Sequence, residues 1–268
     1  MNFSDEFKDK SVVITGAAGG LGKQTAIQYA AAGAKIVIGD LKIEQGQETA
    51  ALMNASHPDC ARFIHLDVTD RESVDALFKE AQETFGTVDI LVNSAGISGQ
   101  GFKPFGRIDL ESWDLAYEVN VKGIVNCCKA ALDIFVPKKA GKIVNVSSVS
   151  GRKPTPGLIH YAASKAAVNN LSQTLAQEVA RFNINVNVVC PGWIWTPIYD
   201  ESEPVKQMAQ KLGKTPREFF LDMVDRYCPL KREQTEEDIA NVILFLSSEA
   251  ARNITGQAIN VDGGSVMS

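Results

Sequence analysis

The chain alternates short apolar runs with longer amphipathic stretches along nearly its whole length. The apolar runs are rich in Val and Ile, which is typical of strands buried on both faces. The stretches between them carry apolar residues at helical spacing. This alternation predicts one doubly wound parallel sheet with helices on both faces, the α/β class. The predicted strands cover residues 11–15, 34–39, 61–66, 88–92, 142–146, 184–189 and 258–264.

Two features interrupt the regular alternation. A long predicted helix over 110–136 contains Asn120 in its interior. An amide is mildly unfavourable there, so Asn120 either faces solvent or is held for a purpose. Residues 197–230 contain two short amphipathic helices in place of a strand and a helix. We interpret this insertion as a lid on a single domain that spans residues 1–268.

Composition narrows the function further. A chain of 268 residues with 45% hydrophobic content can bury a large core as one domain. The net charge of -5 argues against nucleic acid or an anionic membrane as the main partner, so we expect a small-molecule substrate. Five cysteines without a CxxC pair and three scattered histidines suggest neither disulfides nor a metal site. The polar N-terminus is not a signal peptide and no apolar run could span a bilayer, so we expect a cytoplasmic protein.

A glycine-rich turn joins the first predicted strand to the first helix. Gly16, Gly20 and Gly22 lie in this turn. Glycine lets the backbone turn tightly and approach a pyrophosphate, and the free N–H groups of a helix N-terminus attract phosphate. The strand, turn and helix context predicts a dinucleotide site.

The second predicted strand ends at Asp40, twenty-four residues after Gly16. A carboxylate there accepts hydrogen bonds from ribose hydroxyls and repels a 2′-phosphate, which favours NAD over NADP. Lys42 follows closely and could soften this preference. Asp67, after the third strand, is a natural edge for the adenine.

Tyr161 and Lys165 are four residues apart, so a helix holds the phenol and the ammonium side by side. A neighbouring cation favours the phenolate, and the pair therefore predicts proton transfer. Ser148 lies thirteen residues earlier, at the carboxyl end of the fifth predicted strand, where ligands bind in open α/β sheets.

Together these motifs resemble those of the short-chain dehydrogenase/reductase family over almost the entire chain. One departure is Ser94, where many members have a second asparagine; the change should be tolerated because Asn93 and Gly96 remain. The matching residues are Thr15-Gly16-Ala17-Ala18-Gly19-Gly20-Leu21-Gly22, Asp67, Asn93-Ser94-Ala95-Gly96, Asn120, Ser148, Tyr161-x-x-x-Lys165 and Pro191-Gly192.

The resemblance implies a seven-stranded Rossmann-like sheet and a catalytic set of Asn120, Ser148, Tyr161 and Lys165. Ser148 is preferred to Ser147 because the family places its serine thirteen residues before the tyrosine. It also implies assembly as a homodimer or homotetramer. The expected cofactor-binding residues are Gly16, Gly20, Leu21, Gly22, Asp40, Leu41, Asp67, Val68, Asn93, Ala95, Gly96, Tyr161, Lys165, Pro191, Gly192, Ile194 and Thr196.

By the same resemblance, Tyr161 exchanges the proton of a secondary alcohol while hydride moves between the carbinol carbon and NAD. Lys165 lowers the tyrosine pKa and holds the nicotinamide ribose. Asn120 connects Lys165 to solvent through a water. Ile194 and Thr196 bind the carboxamide. Ser148 and Tyr161, with Trp193 and Tyr199, are the expected substrate contacts.

The substrate is less well defined. Aromatic residues of the lid suit a hydroxysteroid, a bile acid or another alicyclic alcohol, although they could equally pack the lid onto the sheet. A polyol is a further possibility. A 3-oxoacyl-carrier-protein reductase using NADPH is the alternative, disfavoured by Asp40 and the acidic chain. A non-catalytic nucleotide-binding protein is a remote alternative, because it would have no reason to keep the four catalytic residues together.

Overall fold

The central sheet agrees with the pattern of apolar runs. The computed structural model describes residues 3, 5–99, 101–200 and 202–267. Within them, seven parallel strands form one sheet in the order β3-β2-β1-β4-β5-β6-β7. The strands are β1 (Ser11–Thr15), β2 (Lys35–Asp40), β3 (Ala61–His65), β4 (Ile90–Asn93), β5 (Gly141–Val146), β6 (Ile184–Pro191) and β7 (Ala258–Val261).

Burial on both faces explains why the strands are continuously apolar. In β1, Val12 and Ile14 point into one core cluster, whereas Val13 points into another on the opposite face. Successive strand side chains alternate between faces, so a strand covered on both sides needs an apolar residue at every position. Val13 pairs in register with Val37 on one side and Leu91 on the other.

Helices cover the two faces, and the strand order places the ligand groove. The chain runs from β1 outward to β3 and then returns to place β4 on the other side of β1. The crevice at the carboxyl ends of β1 and β4 is therefore the topological switch point, where such sheets bind ligands. The helices are α1 (Gly20–Ala31), α2 (Ile43–Ser56), α3 (Arg71–Phe85), α4 (Leu110–Tyr117), α5 (Gly123–Lys138), α6 (Ile159–Val179), α7 (Pro197–Asp200), α8 (Glu203–Lys211), α9 (Pro216–Tyr227) and α10 (Glu236–Ser247).

The long helix predicted over 110–136 differs from the expectation at its centre. Helices α4 and α5 are joined by one π-helical turn, Glu118–Lys122, with Asn120 inside it. The wider turn directs the Asn120 side chain inward, where it is fully buried. Single π turns within helices occur frequently at functional sites.

The insertion after β6 contains three helices, α7 to α9, where two were expected. Helix α9 begins with a capping box, in which the Thr215 hydroxyl and the Glu218 carboxylate each bond the other residue's backbone N–H. We call residues 197–230 the lid.

In the described part of the chain, no helix combines the length and apolarity that crossing a membrane requires.

Phe135 of α5 tests the packing beneath the sheet. Its ring is fully buried against Gly141 at the start of β5, where even a Cβ would come within 2.3 Å of the ring. We expect Phe135→Ala to lower the free energy of unfolding by about 3–5 kcal/mol, because the substitution leaves a cavity in a rigid interior. The measurement is urea denaturation. Phe105→Ala, at a residue that is 69% exposed, is the control and should change stability by less than about 0.5 kcal/mol.

Candidate active site

The glycine turn brings three segments of backbone into close contact. Gly16 has a φ of +68°, and a Cβ on it would lie 2.7 Å from the Ala95 Cα. A Cβ on Gly22 would lie 2.3 Å from the Gly16 carbonyl oxygen. Larger residues at either position would push β1, β4 and α1 apart. The turn therefore holds α1 tightly against the sheet, with its N-terminus at the switch point.

The start of α1 suits an anionic group. Within the described residues, no side chain caps the helix at Gly19, so the first N–H groups of α1 remain available for phosphate oxygens. Asp40 lies beside the same turn at the end of β2. Its carboxylate accepts hydrogen bonds from the backbone N–H groups of Ala18, at 2.9 Å, and Lys42, at 3.0 Å. These contacts fix one negative charge at the end of β2, beside the glycine turn.

The groove wall continues through the ends of β3 and β4. Asp67 accepts hydrogen bonds from the Thr69 backbone N–H at 2.9 Å and hydroxyl at 2.7 Å. Thr15 accepts from the backbone N–H groups of Ser94, at 3.2 Å, and Ala95, at 3.1 Å, which holds the loop after β4 beside β1. These residues, with the free helix start, fit a dinucleotide cofactor.

Asn93 is one of the expected cofactor-binding residues, but its side chain forms hydrogen bonds inside the protein. Its side chain is buried and donates to the Asn145 side chain at 2.8 Å, and Asn145 in turn donates to the Ser172 hydroxyl at 2.8 Å. This chain of bonds ties β4 to β5 and α6. Asn93 therefore faces the interior with its side chain and the groove only with its backbone.

Ser148, Tyr161 and Lys165 come together at the end of β5. The Ser148 hydroxyl lies close enough to the Tyr161 phenol to lower its pKa, and it accepts a hydrogen bond from the Ser150 N–H at 3.1 Å. The Lys165 Nζ lies 5.6 Å from the centroid of the Tyr161 ring and donates to the Val146 carbonyl oxygen at 2.9 Å. The neighbouring Ser147 instead donates to the Lys165 carbonyl oxygen at 2.9 Å, which leaves Ser148 as the serine that meets the tyrosine.

Asn120 lies behind this group and orders the loop that follows β4. Its Oδ1 accepts from the Ile97 N–H at 2.8 Å, and its Nδ2 donates to the Ile97 carbonyl oxygen at 2.9 Å and the Ser164 hydroxyl at 3.0 Å. A Cβ on Gly96 would lie 3.1 Å from the Asn120 Oδ1 and 3.3 Å from the Lys165 Nζ. The space in front of both polar groups thus depends on glycine at this position.

Burial dominates the proton affinities of the site. Burial raises the pKa of Tyr161, although the nearby Ser148 hydroxyl opposes the shift. Burial also lowers the pKa of Lys165 to about 8. The sequence led us to expect that Lys165 would lower the pKa of Tyr161; the structure differs because desolvation disfavours the charged forms of both groups.

The opposite wall is formed by the loop after β6 and by the lid. Gly192 passes so close to the C-terminal segment that a Cβ would lie 2.5 Å from the Asp262 Cβ. Ile194 is buried and Thr196 is half-buried. The pKa of the Tyr199 phenol is raised by burial and by the charge of Tyr161, which places the two phenols near each other.

An aromatic cluster is formed by residues of the lid and of the loop just before it. We expected these side chains either to line a substrate pocket or to pack the lid onto the sheet, and in the structure they mostly pack on one another. The Tyr199 and Phe220 ring centroids are 4.8 Å apart, and those of Trp195 and Phe220 are 5.2 Å apart. Trp193 stacks on Tyr227 at 6.2 Å. Tyr199 is the member of this cluster whose phenol lies close enough to Tyr161 for the charge of Tyr161 to raise its pKa.

Several residues of the site could not be identified from the sequence. Arg152, in the loop after Ser148, donates to the Ala258 carbonyl oxygen at 2.6 Å and anchors this loop to β7. Ser164 accepts from Asn120 and Gln234 accepts from Trp193, and both partners are more than forty residues away in the sequence, so no local pattern marks these two contacts. Thr15 was part of a motif, yet its partners in the loop after β4 emerge only from the fold.

The match to a known family agrees with this geometry. A family model described as Enoyl-(Acyl carrier protein) reductase matches residues 16–266. The fold and the site define an oxidoreductase of the nicotinamide-dependent type, and the chain belongs to the short-chain dehydrogenase/reductase family.

Individual relatives are similar over nearly their whole length. The 3-oxoacyl-[acyl-carrier-protein] reductase FabG of Thermotoga maritima is 37% identical over 258 residues, which cover 96% of this chain and 98% of the relative. The crystal structure of levodione reductase is 31% identical with a TM-score of 0.89, covering 96% of this chain and 98% of that one. NAD⁺-bound xylitol dehydrogenase is 28% identical with a TM-score of 0.88, covering 96% and 99%.

The close contact at Gly22 yields a test of the cofactor groove. We expect Gly22→Ala to weaken NADH binding at least tenfold, because the added methyl displaces α1 from the Gly16 carbonyl and moves the helix N-terminus. The measurement is titration calorimetry. Gly19→Ala is the matched control in the same turn, since nothing lies within 4 Å of its Cβ position and its φ of −154° suits any residue. Equal affinities for the two variants would contradict this account.

Proposed function

We propose that the chain interconverts a ketone and a secondary alcohol with NAD(H), using Ser148, Tyr161 and Lys165 for the chemistry at oxygen. The observation that carries the proposal is the buried ammonium of Lys165, 5.6 Å from the centroid of the Tyr161 ring, with the Ser148 hydroxyl close enough to the Tyr161 phenol to affect its pKa. A serine and a tyrosine this close can both contact one substrate oxygen. That is the arrangement needed to move a proton while charge develops on that oxygen.

The bound nicotinamide supplies or accepts the hydride at the carbinol carbon. In the reducing direction, the Tyr161 hydroxyl donates its proton to the carbonyl oxygen as the C=O double bond becomes a single bond. Ser148 donates a hydrogen bond to the same oxygen and stabilises the charge that builds there. Lys165 then replaces the proton on Tyr161. Asn120 holds the loop after β4 in place and lies between Ile97 and Ser164 at the inner end of the site.

The proton affinities favour reduction. A tyrosine with a raised pKa stays protonated at neutral pH and is ready to donate. Lys165, with a pKa of about 8, remains mostly protonated at pH 7 but can release its proton easily. Oxidation in the reverse direction should gain from higher pH, because Tyr161 must then lose its proton to accept another.

Asp40 supports NAD as the cofactor. Both of its oxygens are held by backbone N–H groups at the end of β2, so the charge cannot easily move away from the groove. A fixed carboxylate there accepts ribose hydroxyls and repels a 2′-phosphate. Ala17 and Ala18 in the turn leave it without a basic side chain.

For the substrate, the Thermotoga maritima relative favours our alternative expectation over the first one. That relative is named as a reductase of 3-oxoacyl groups on an acyl-carrier protein. We therefore place 3-oxoacyl thioesters first among the candidate substrates. Reduction by a protonated Tyr161 suits this class, because the 3-oxo group is a ketone.

A cyclic ketone or a polyol is the second candidate. The aromatic cluster behind Tyr199 offers an apolar wall, which suits a ring, and two similar structures are titled levodione reductase and xylitol dehydrogenase. A hydroxysteroid or a bile acid belongs to the same apolar class. The names of the three relatives reported above do not mention a steroid.

We also propose that the chain self-associates as a homodimer or homotetramer in the cytoplasm. Exposed apolar side chains on α4 and α6 support assembly: Leu110 is 77% exposed, Leu115 52% and Ile159 41%. All five cysteines lie among the described residues as buried free thiols, which agrees with a reducing compartment.

Steady-state rates with NADH and NADPH test the function and rank the substrates. We expect reduction of acetoacetyl-CoA or of a cyclic ketone with NADH, and a decrease of at least a thousandfold in kcat for Tyr161→Phe, because the proton donor is lost. Calorimetry should show unchanged NADH binding in this variant. Cofactor binding without turnover on any ketone, thioester or polyol would instead favour the non-catalytic alternative.

Asp40→Asn tests the cofactor preference separately. The amide keeps an acceptor for the Ala18 N–H but removes the charge, so the ratio of kcat/KM for NADPH to that for NADH should rise at least tenfold. Glu44→Gln removes an exposed charge in the first turn of α2 and is the matched control, with no expected change. If Asp40→Asn behaves like Glu44→Gln, Asp40 does not select the cofactor.

A further inference from the structure

An ion pair joins the lid to the segment that follows it. Arg217, in the first turn of α9, donates from Nη1 to the Glu233 Oε2 at 2.7 Å and from Nη2 to the Glu233 Oε1. Both side chains are partly exposed, at 41% and 25%. Exposed ion pairs usually contribute little to stability, whereas a bidentate arginine–carboxylate pair has a defined geometry. We therefore expect this ion pair to matter for the position of neighbouring side chains more than for the stability of the fold.

Arg217 also lies against two rings of the aromatic cluster. Its guanidinium carbon is 5.1 Å from the Trp195 ring centroid and 5.4 Å from that of Phe220. A guanidinium can bind a carboxylate along its edge and cover aromatic rings with its face at the same time. Glu233 thus fixes Arg217, and Arg217 fixes the two rings.

The next residue, Gln234, holds the same loop by its backbone. The Gln234 N–H donates to the Trp193 carbonyl oxygen at 2.8 Å, and its Oε1 accepts from the Trp193 N–H at 2.7 Å. Gln234 is buried, and its Nε2 donates to the Arg232 carbonyl oxygen at 3.1 Å. Of two consecutive residues before α10, Gln234 therefore holds the backbone of Trp193, and Glu233 holds Arg217, which covers the Trp195 ring.

A short series of contacts leads from this pair to the proposed chemistry. The Trp195 and Tyr199 rings stack with centroids 6.5 Å apart, and Tyr199 also packs on Phe220. The Tyr199 phenol is near enough to Tyr161 for the charge of one to shift the pKa of the other. The position of Tyr199 relative to Tyr161 thus depends on rings that Arg217 holds.

We propose that Arg217 and Glu233 form a specificity-determining pair, which orders the aromatic wall behind Tyr199 and so sets the width of the substrate pocket. The proposal rests on the proposed function. It assigns the pair a role in selecting among ketones and no role in proton transfer. With the pair intact, the wall favours a narrow linear substrate; without it, the rings can move aside and admit a wider one.

Kinetics with Glu233→Gln and Arg217→Lys test the selection. Glu233→Gln removes the charge of the pair, and Arg217→Lys keeps the cation but not the planar fork. In Glu233→Gln we expect the ratio of kcat/KM for decalone to that for acetoacetyl-CoA to rise at least fivefold through KM, with kcat changed less than twofold; Arg217→Lys should be intermediate. Asp222→Asn is the matched control, because it breaks the Lys214–Asp222 ion pair of the same lid, and should leave the ratio unchanged.

Tryptophan fluorescence gives a readout that does not depend on turnover. Two of the three tryptophans lie in the cluster, so loss of the pair should increase acrylamide quenching at least 1.5-fold in Glu233→Gln and not in Asp222→Asn. Unchanged quenching would overturn the proposal even if no substrate is turned over. Altered quenching or a lower Tm with an unchanged substrate ratio would also overturn it, since the pair would then be merely structural. Failure of the proposed function alone would show as absent turnover in the unmodified chain.

Discussion

The burial of Lys165 is the constraint on which the candidate site depends. An ammonium in a fully buried position is costly unless hydrogen-bonded, and here the Val146 carbonyl oxygen at the end of β5 accepts from it. That bond fixes α6, which carries Tyr161, against β5, which Ser148 follows closely. The same low-dielectric surroundings lower the pKa of Lys165 to about 8 and raise that of Tyr161, so the two groups move apart in proton affinity. Transfer of a proton from the Lys165 ammonium to a Tyr161 phenolate is therefore downhill.

The candidate site also requires segments of backbone to lie very close together, and glycine makes this possible on both sides of the groove. Gly16 allows β1 to contact the loop after β4, and Gly151 lets the turn after Ser148 lie against the backbone of α6, where a Cβ would come within 2.6 Å of the Lys165 carbonyl carbon. These contacts bring residues from separate strands to one crevice. The polar side chains need this scaffold because their spacing must be kept within a few tenths of an ångström.

The lid is the part of this chain that departs from the regular alternation of strands and helices. Proteins of one fold differ in function through the sites that the fold carries, so the surface around the candidate site matters for the choice of substrate. In this chain the surface is an aromatic cluster with Tyr199 at its inner end and Arg217 at its outer end. The relatives differ in the substrates that their names give: a 3-oxoacyl group on a carrier protein, levodione and xylitol. In our proposal, the aromatic cluster is the part of this chain that selects among such substrates.

The sequence alone determined the parallel sheet, because strands buried on both faces need continuous apolar runs, and it determined the glycine turn and the Tyr161 and Lys165 spacing, because these are local. It also indicated which serine meets the tyrosine. Only the tertiary structure decided the π turn that buries Asn120, the inward direction of Asn93, and the anchoring role of Arg152, because each depends on partners distant in the chain. The direction of the Tyr161 pKa shift was likewise decided by burial, which no spacing of residues reveals. The ion pair of Arg217 and Glu233, sixteen residues apart, could not be predicted from the sequence for the same reason. Its proposed role depends on the aromatic rings that folding places beside Arg217.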